Sequence, residues 1–217
     1  LQRGGAVLEL GCGSGRILLP LLASGIDIEG IDQSPGMLRQ LQREALSQRL
    51  APMVRLGTLT DFAVSRQFTT VLCPYSVMTY LTAPAELTAC LIRIRQALLP
   101  EGLLALDTFI PRNVVAFGDF RLDYRRPHGA LTLQREKRIS AEGPCNRIER
   151  RYTLLHDDGS IERSWTTCDL IRPWTEAELV ASAERAGLRC VERTHDFGAH
   201  SPAPQFMVLH FAGGRHD

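Results

Sequence analysis

Glu9 stands inside an otherwise apolar run, two residues before Gly11, and Gly11, Gly13 and Gly15 then follow at alternate positions. Asp32 closes a second short stretch, "IDIEGID", in which Ile26, Ile28 and Gly30 alternate with acids and Ile31 precedes Asp32. A glycine-rich bend lets a ligand approach bare backbone, and carboxylates beside it accept hydrogen bonds from hydroxyls or attract a cation. Three nucleotide-type chemistries use such bends. A phosphate-gripping loop requires Gly-Lys-Ser/Thr, whereas Arg16 follows Gly15 here. A dinucleotide fold uses G-x-G-x-x-G, and in this chain the third glycine arrives one residue early. Glu9 would also repel a pyrophosphate, so the pattern favours a ligand bearing hydroxyls or positive charge.

These residues need elements to hold them. "AVLEL" (Ala6–Leu10) reads as a short buried strand, and the apolar stretch Ile17–Ala23 after the glycines as a helix. "IDIEGID" is a second strand. Ser34 then acts as an N-cap before Pro35, with Met37, Leu38, Leu41 and Ala45 as the inward stripe of the next helix. "MVRLG" and "TTVLCP" read as strands three and four. Leu87, Leu91, Ile94 and Leu98 mark a helix ended by Pro100 and Gly102, and "LLALDTF" is a fifth strand. The alternation predicts an α/β fold, a Rossmann-like, doubly wound, mostly parallel seven-stranded sheet. Ligands of such sheets bind beyond the carboxyl ends of the strands, where the glycine bend lies.

The pattern changes between residues 112 and 172. "LTLQREKRIS" and "RIERRYTLLHD", with the turn "DDGS", predict an antiparallel β insert after strand five. "TEAELVASAERAGL" opens with a Thr/Glu cap and closes at Gly187, and two final strands complete the sheet. Three segments result: residues 1–111 and 173–217 form an α/β core, and 112–172 form a β-rich flap inserted in it.

The chain has 217 residues, a net charge of +1 and 44% hydrophobic residues, enough for one sizeable core. Near-neutral charge argues against a dedicated nucleic-acid binder. Lys137 is the only lysine, which leaves little scope for Schiff-base chemistry. Six cysteines without a Cys-x-x-Cys pair fit neither a zinc site nor a disulfide scaffold, so no metal is expected and a reducing, cytoplasmic setting is. No apolar run approaches the roughly 20 residues of a membrane span, and no secretory leader is visible. The chain lacks an initial Met and enters its first strand almost at once, which suggests that an upstream segment is missing.

With these motifs in hand, the chain resembles the class I S-adenosylmethionine-dependent methyltransferases. "VLELGCGSGR" is similar to their first motif, "IEGIDQSPGML" to the second, and "RQALLPEGLLALDTF" to the later helix-to-strand motif. "WTEAELVASAERAGL" resembles their late helix. The resemblance implies that the cofactor is S-adenosylmethionine and the product S-adenosylhomocysteine. It implies that Gly11 and Gly13 make the close approach, Glu9 lies near the methionine end, Asp32 holds the ribose and Gln33 lies beside the adenosine. Cys12, Met37, Leu59 and Cys73 complete the expected surround. The family often has Gly-Asp after strand three, the acid reaching the adenine amino group. Here Gly57 is followed by Thr58, and Asp61 comes three positions later. Thr58 is the expected adenine contact, with Asp61 the other candidate.

The acceptor side is written less clearly. Cys73-Pro74-Tyr75 is similar to the Asp/Asn-Pro-Pro-Tyr motif of nucleic-acid amino methyltransferases, but cysteine cannot replace the amide or carboxylate acceptor. Tyr75, as a catalytic aromatic, and Tyr80 are read instead as pocket residues, with core packing the rival reading for Tyr80. Among histidines, His128 in the flap is the expected general base ahead of His195 and His200. Arg172 and Trp174 are expected at the substrate or at the fastening of the flap. The expected activity is methyl transfer to N or O of a small-molecule acceptor. The alternatives are a nucleic-acid base methyltransferase and a non-catalytic cofactor-binding or dimerisation domain. A homodimer through the flap is the expected assembly.

Overall fold

The computed structural model describes residues 4–111, 117–199 and 201–213. Two compact units divide the chain, one running to Ile110 and resuming at Trp174, the other spanning Pro111–Pro173.

The first unit is built on a seven-stranded sheet. Its elements are β1 (Val7–Leu10), α1 (Leu18–Ala23), β2 (Ile28–Asp32), α2 (Pro35–Ser47), β3 (Met53–Leu56), β4 (Phe68–Cys73), α3 (Pro84–Ala97) and β5 (Leu98–Phe109). After the insert come α4 (Glu176–Arg185), β10 (Leu188–His195) and β11 (Phe206–Gly213). The strand order is β10-β11-β5-β4-β1-β2-β3. Strands β3, β2, β1, β4 and β5 run parallel, and β11 lies antiparallel to both β5 and β10. From β1 the chain winds outward to β2 and β3, then returns to the other side of β1 with β4 and β5. The crevice between the carboxyl ends of β1 and β4 is therefore the topological switch point.

Strand β1 is buried along its whole length, as a central strand covered on both faces must be. Val7 joins the cluster under α1 and α2, with Leu18, Leu19, Leu38 and Leu41. Leu8 and Leu10 point the other way, toward α3 and α4, among Leu87, Leu91, Ile94 and Leu179. Alternation along the strand puts Glu9 on the face of Val7, hence under α1. Ser34 caps α2, its Oγ accepting the Met37 N–H at 3.3 Å. Met37 itself is exposed, so the inward stripe of α2 is Leu38, Leu41 and Ala45. Leu98, expected in the helix, instead begins β5 and pairs with Phe68. Thr175 and Glu178 form a reciprocal cap at α4, with Thr175 donating to the Glu178 carboxylate from N–H at 2.9 Å and from Oγ1 at 2.8 Å.

The second unit is a four-stranded antiparallel sheet, β6 (Phe117–His128), β7 (Leu131–Glu142), β8 (Cys145–Leu155) and β9 (Ile161–Ile171), in sequential order. Its arginines are largely spent on cross-strand partners. Arg138 meets Glu149, Arg151 meets Glu136, Arg150 meets Asp169, and Asp123 receives both Arg135 and Lys137. Such pairs set register more than stability. Among the described residues no helix is long and apolar enough to cross a membrane, and no group of three or more His, Cys, Asp or Glu is placed to hold a metal ion.

Candidate functional site

The switch-point crevice gathers the motif residues. After β1 the chain bends through Gly11 (φ +73°) and Gly13 (φ +52°), angles that residues with a Cβ rarely adopt. A Cβ at Gly11 would also lie 2.5 Å from Cγ2 of Val77, so the loops after β1 and β4 pack too closely for any larger residue. Beside Gly13 there is room, the nearest atom to an added Cβ being the Gly11 carbonyl oxygen at 4.0 Å. Asp32, at the end of β2, fixes this bend. Its Oδ2 accepts the Gly13 N–H at 2.8 Å, and its Oδ1 accepts the Ser34 N–H at 2.8 Å. Each carboxylate oxygen retains a second lone pair for a ligand hydroxyl.

Glu9 is only 2% exposed. The Leu18 N–H reaches its carboxyl group, yet Oε2 has no hydrogen-bond partner among the described residues. Burial, opposed by that N–H and reinforced by the negative charge of Asp32, pushes the Glu9 pKa up to about 8. A buried, half-satisfied acid beside open backbone is costly to the fold alone and suits a ligand that brings a donor or a positive charge.

Across the crevice, the chain leaving β4 turns sharply. Tyr75 and Ser76 both adopt left-handed backbone angles, φ +58° and +57°. Asp107 of β5 accepts both of their N–H groups, at 2.8 and 2.9 Å. The Tyr75 ring is 59% exposed and carries the Arg16 guanidinium 4.5 Å above its centroid. Arg16 belongs to the β1 loop, so the two loops flanking the crevice touch at Gly11–Val77 and at Arg16–Tyr75.

The remaining expected residues divide. Gln33 and Met37 are exposed near the Asp32 corner, and Leu59 packs partly into the core. Thr58 is exposed, and its Oγ1 accepts the Asp61 N–H at 3.0 Å. Asp61 turns instead to Arg93, 3.3 Å away. Cys12 is buried, and burial with the charges of Glu9 and Asp32 pushes its thiol up to about 12. Its side chain is therefore withdrawn into the core rather than presented at the bend. The same correction holds for Cys73, whose side chain is wholly buried in the core beside Cys90.

Trp174 is not a pocket residue. It is 2% exposed, and its indole N–H donates to the carbonyls of Met78 and Leu81 at 3.2 and 3.0 Å, tying the start of the late segment to the turn after β4. Tyr80 ends that turn half-exposed. His128, the exposed last residue of β6, and Arg172 belong to the second unit. His195 ends β10, and His200 lies outside the described residues. Sequence reasoning missed Asp107 and Ser76. Their signal was an acid within the apolar run "LLALDTF", the same sign that singled out Glu9.

Comparison with known proteins bears on the domain and its fold. Residues 7–102, from β1 into β5, match the family described as "Methyltransferase domain". A Streptomyces fradiae protein, "dTDP-3-amino-3,6-dideoxy-alpha-D-glucopyranose N,N-dimethyltransferase", is 30% identical over 166 residues, covering 73% of this chain and 60% of that one. A Streptomyces venezuelae protein, "dTDP-3-amino-3,4,6-trideoxy-alpha-D-glucopyranose N,N-dimethyltransferase", is 27% identical over 184 residues, covering 85% and 75%. This chain thus spans only about three-fifths of the length of the first of these relatives. In fold it is similar to the crystal structure of an S-adenosylmethionine-dependent methyltransferase from Clostridium acetobutylicum, with a TM-score of 0.81 at 14% identity over 97% of this chain and 84% of that one. The domain match and the sheet order agree: residues 7–102 carry a methyltransferase domain, and the fold is that of the S-adenosylmethionine-dependent methyltransferases.

Proposed function

We propose that this chain transfers a methyl group from S-adenosylmethionine to the nitrogen of a small amine-bearing acceptor, an amino sugar carried on a nucleoside diphosphate being the first candidate. The observation that carries the cofactor half is Glu9, buried with an unpartnered oxygen two residues before the glycine bend, together with an Asp32 that holds the Gly13 N–H and retains lone pairs for hydroxyls. The acceptor half is supported by two relatives named as N,N-dimethyltransferases of dTDP-amino sugars.

When bound, S-adenosylmethionine supplies a methyl on a sulfonium, whose departure as a neutral thioether drives the transfer. The protein's task is then mainly alignment and exclusion of water. Asp32 would hold the ribose hydroxyls, and the backbone at Gly11–Gly13 would follow the chain from ribose to methionine. Glu9 would meet the positive end, ionising as the cation approaches. An amine attacks with its own lone pair, so it must arrive unprotonated. The N–C bond forms as the C–S bond breaks, and the new ammonium gives a proton to solvent. Tyr75 stands on the β4 side of the crevice, where the acceptor would approach, and serves as a surface for it. An O-methyl acceptor would need a base at that position, since a hydroxyl is a poor nucleophile until its proton leaves.

The test uses methyl-labelled S-adenosylmethionine with dTDP-3-amino sugars and their 3-hydroxy counterparts, read by mass spectrometry. Label on the amino sugar alone is expected. Label on the hydroxy compound alone, or on neither while the cofactor binds, overturns the amine assignment.

A further inference from the structure

Asp107 is a buried acid at the carboxyl end of β5, a place where an apolar residue would satisfy packing. It stands beside β4, whose last residue Cys73 pairs with its neighbour Leu106. Its Oδ2 accepts the Tyr75 N–H at 2.8 Å and its Oδ1 the Ser76 N–H at 2.9 Å. Ser76 returns the tie, its Oγ accepting the Phe109 N–H at 3.1 Å. Two consecutive non-glycine residues at φ +58° and +57° are disfavoured by Cβ contacts and do not persist unless the surroundings hold them. Successive N–H groups in such a bend converge on a point that suits an anion. The anion supplied here is the protein's own carboxylate.

The bend decides where the Tyr75 ring goes. With both amides pinned, the ring lies under Arg16, 4.5 Å from the guanidinium, and the next residue, Val77, packs against Gly11. The wall on the β4 side is thereby set against the glycine bend on the β1 side. We propose that Asp107 is a positioning residue for methyl transfer: by locking the Tyr75–Ser76 turn in its double left-handed form, it holds the Tyr75 ring at the acceptor's entrance to the crevice. This inference rests on the methyl-transfer reading above for its catalytic consequence, but not for the locked turn.

The variant is Asp107→Asn, which keeps the shape and one acceptor oxygen but turns an N–H₂ donor toward an N–H. Hydrogen exchange by mass spectrometry is followed over residues 74–79 in the intact chain, together with kcat, acceptor KM and the calorimetric cofactor Kd. Exchange at Tyr75 and Ser76 is expected to quicken about tenfold or more, as loss of a charge-assisted bond implies. Turnover kcat is expected to fall about tenfold while cofactor Kd stays within about threefold, because the ribose corner at Asp32 is untouched. A merely structural acid would shift exchange throughout the sheet and move Kd and kcat together. If the asparagine variant does not fold, Asp107→Ala serves the same comparison, and fast exchange of these two amides in the unmodified chain overturns the proposal by itself. Exchange or kcat unchanged in a folded variant also overturns it. Absence of cofactor binding by the unmodified chain overturns the methyl-transfer reading instead, so the two failures appear in different measurements.

Discussion

Glu9→Gln separates what the buried acid does for the fold from what it does for the ligand. In the ligand-free chain the Glu9 pKa rises from an ordinary 4.5 to about 8. At about 1.4 kcal/mol per pH unit, that difference corresponds to an upper bound of about 5 kcal/mol against ionising Glu9 in place. The sign follows from the proton. Between these pH values the folded chain keeps a proton that the unfolded chain has released, so the contribution is fully present below pH 4.5 and is lost as pH rises through 8. Glutamine keeps an acceptor for the Leu18 N–H and has no proton to lose. Urea denaturation followed by circular dichroism should therefore show parent and variant with similar stability near pH 4.5. The variant should pull ahead by about 2–5 kcal/mol at pH 8 and above. Cofactor affinity should move the other way, the variant binding more weakly because the positive end loses its counter-charge. Stability curves that stay parallel from pH 4.5 to 9 would refute the buried, proton-holding Glu9, and an unchanged cofactor Kd would remove it from the site.

Gly11→Ala forces a Cβ to 2.5 Å from Val77 at a left-handed angle, and should lower unfolding stability by about 1–3 kcal/mol in thermal or urea melts. Trp174→Phe removes a buried N–H shared by two carbonyls and leaves space behind it. A loss of about 2–4 kcal/mol in urea is expected, with cofactor Kd unchanged. Tyr75→Phe retains the face on which Arg16 sits and should keep parental kcat, whereas Tyr75→Leu removes the ring and should lower kcat about tenfold or more, at least as far as Asp107→Asn, which only displaces it. An inactive Tyr75→Phe in a labelled-methyl assay would make the phenol a proton carrier and contradict the account.

The glycine bend and its tie to Asp32 were legible because their constraints are local. Left-handed angles at Gly11 and Gly13 favour glycine, Ser34 is a favoured N-cap residue, and the central strands β1 and β2 are mostly apolar. Each leaves a mark within a few letters. What was not legible depends on pairing between distant segments. Leu98 fits the helical stripe of α3 but is drawn into β5 by Phe68 across the sheet. Trp174 carries a polar handle that suits a pocket, yet two carbonyls about ninety residues earlier bury it. Asp107 was visible as an acid in an apolar strand, but its meaning lies in the angles of Tyr75 and Ser76, for which neither residue type gives a sign. Met37 fell on the apolar stripe by period alone, and the first turn of α2 faces outward there.

On the function proposed above, the crevice between Glu9, the glycine bend and Asp32 holds S-adenosylmethionine. Calorimetric titration of S-adenosylmethionine into the chain and into Asp32→Ala, with circular dichroism to verify the fold, tests it most directly. Saturable binding at one site per chain is expected, weakened about tenfold or more in the variant, since a hydrogen bond to a charged group contributes about 1.5–3 kcal/mol. No binding by the folded parent chain, or equal affinity in the folded Asp32→Ala, would contradict the account.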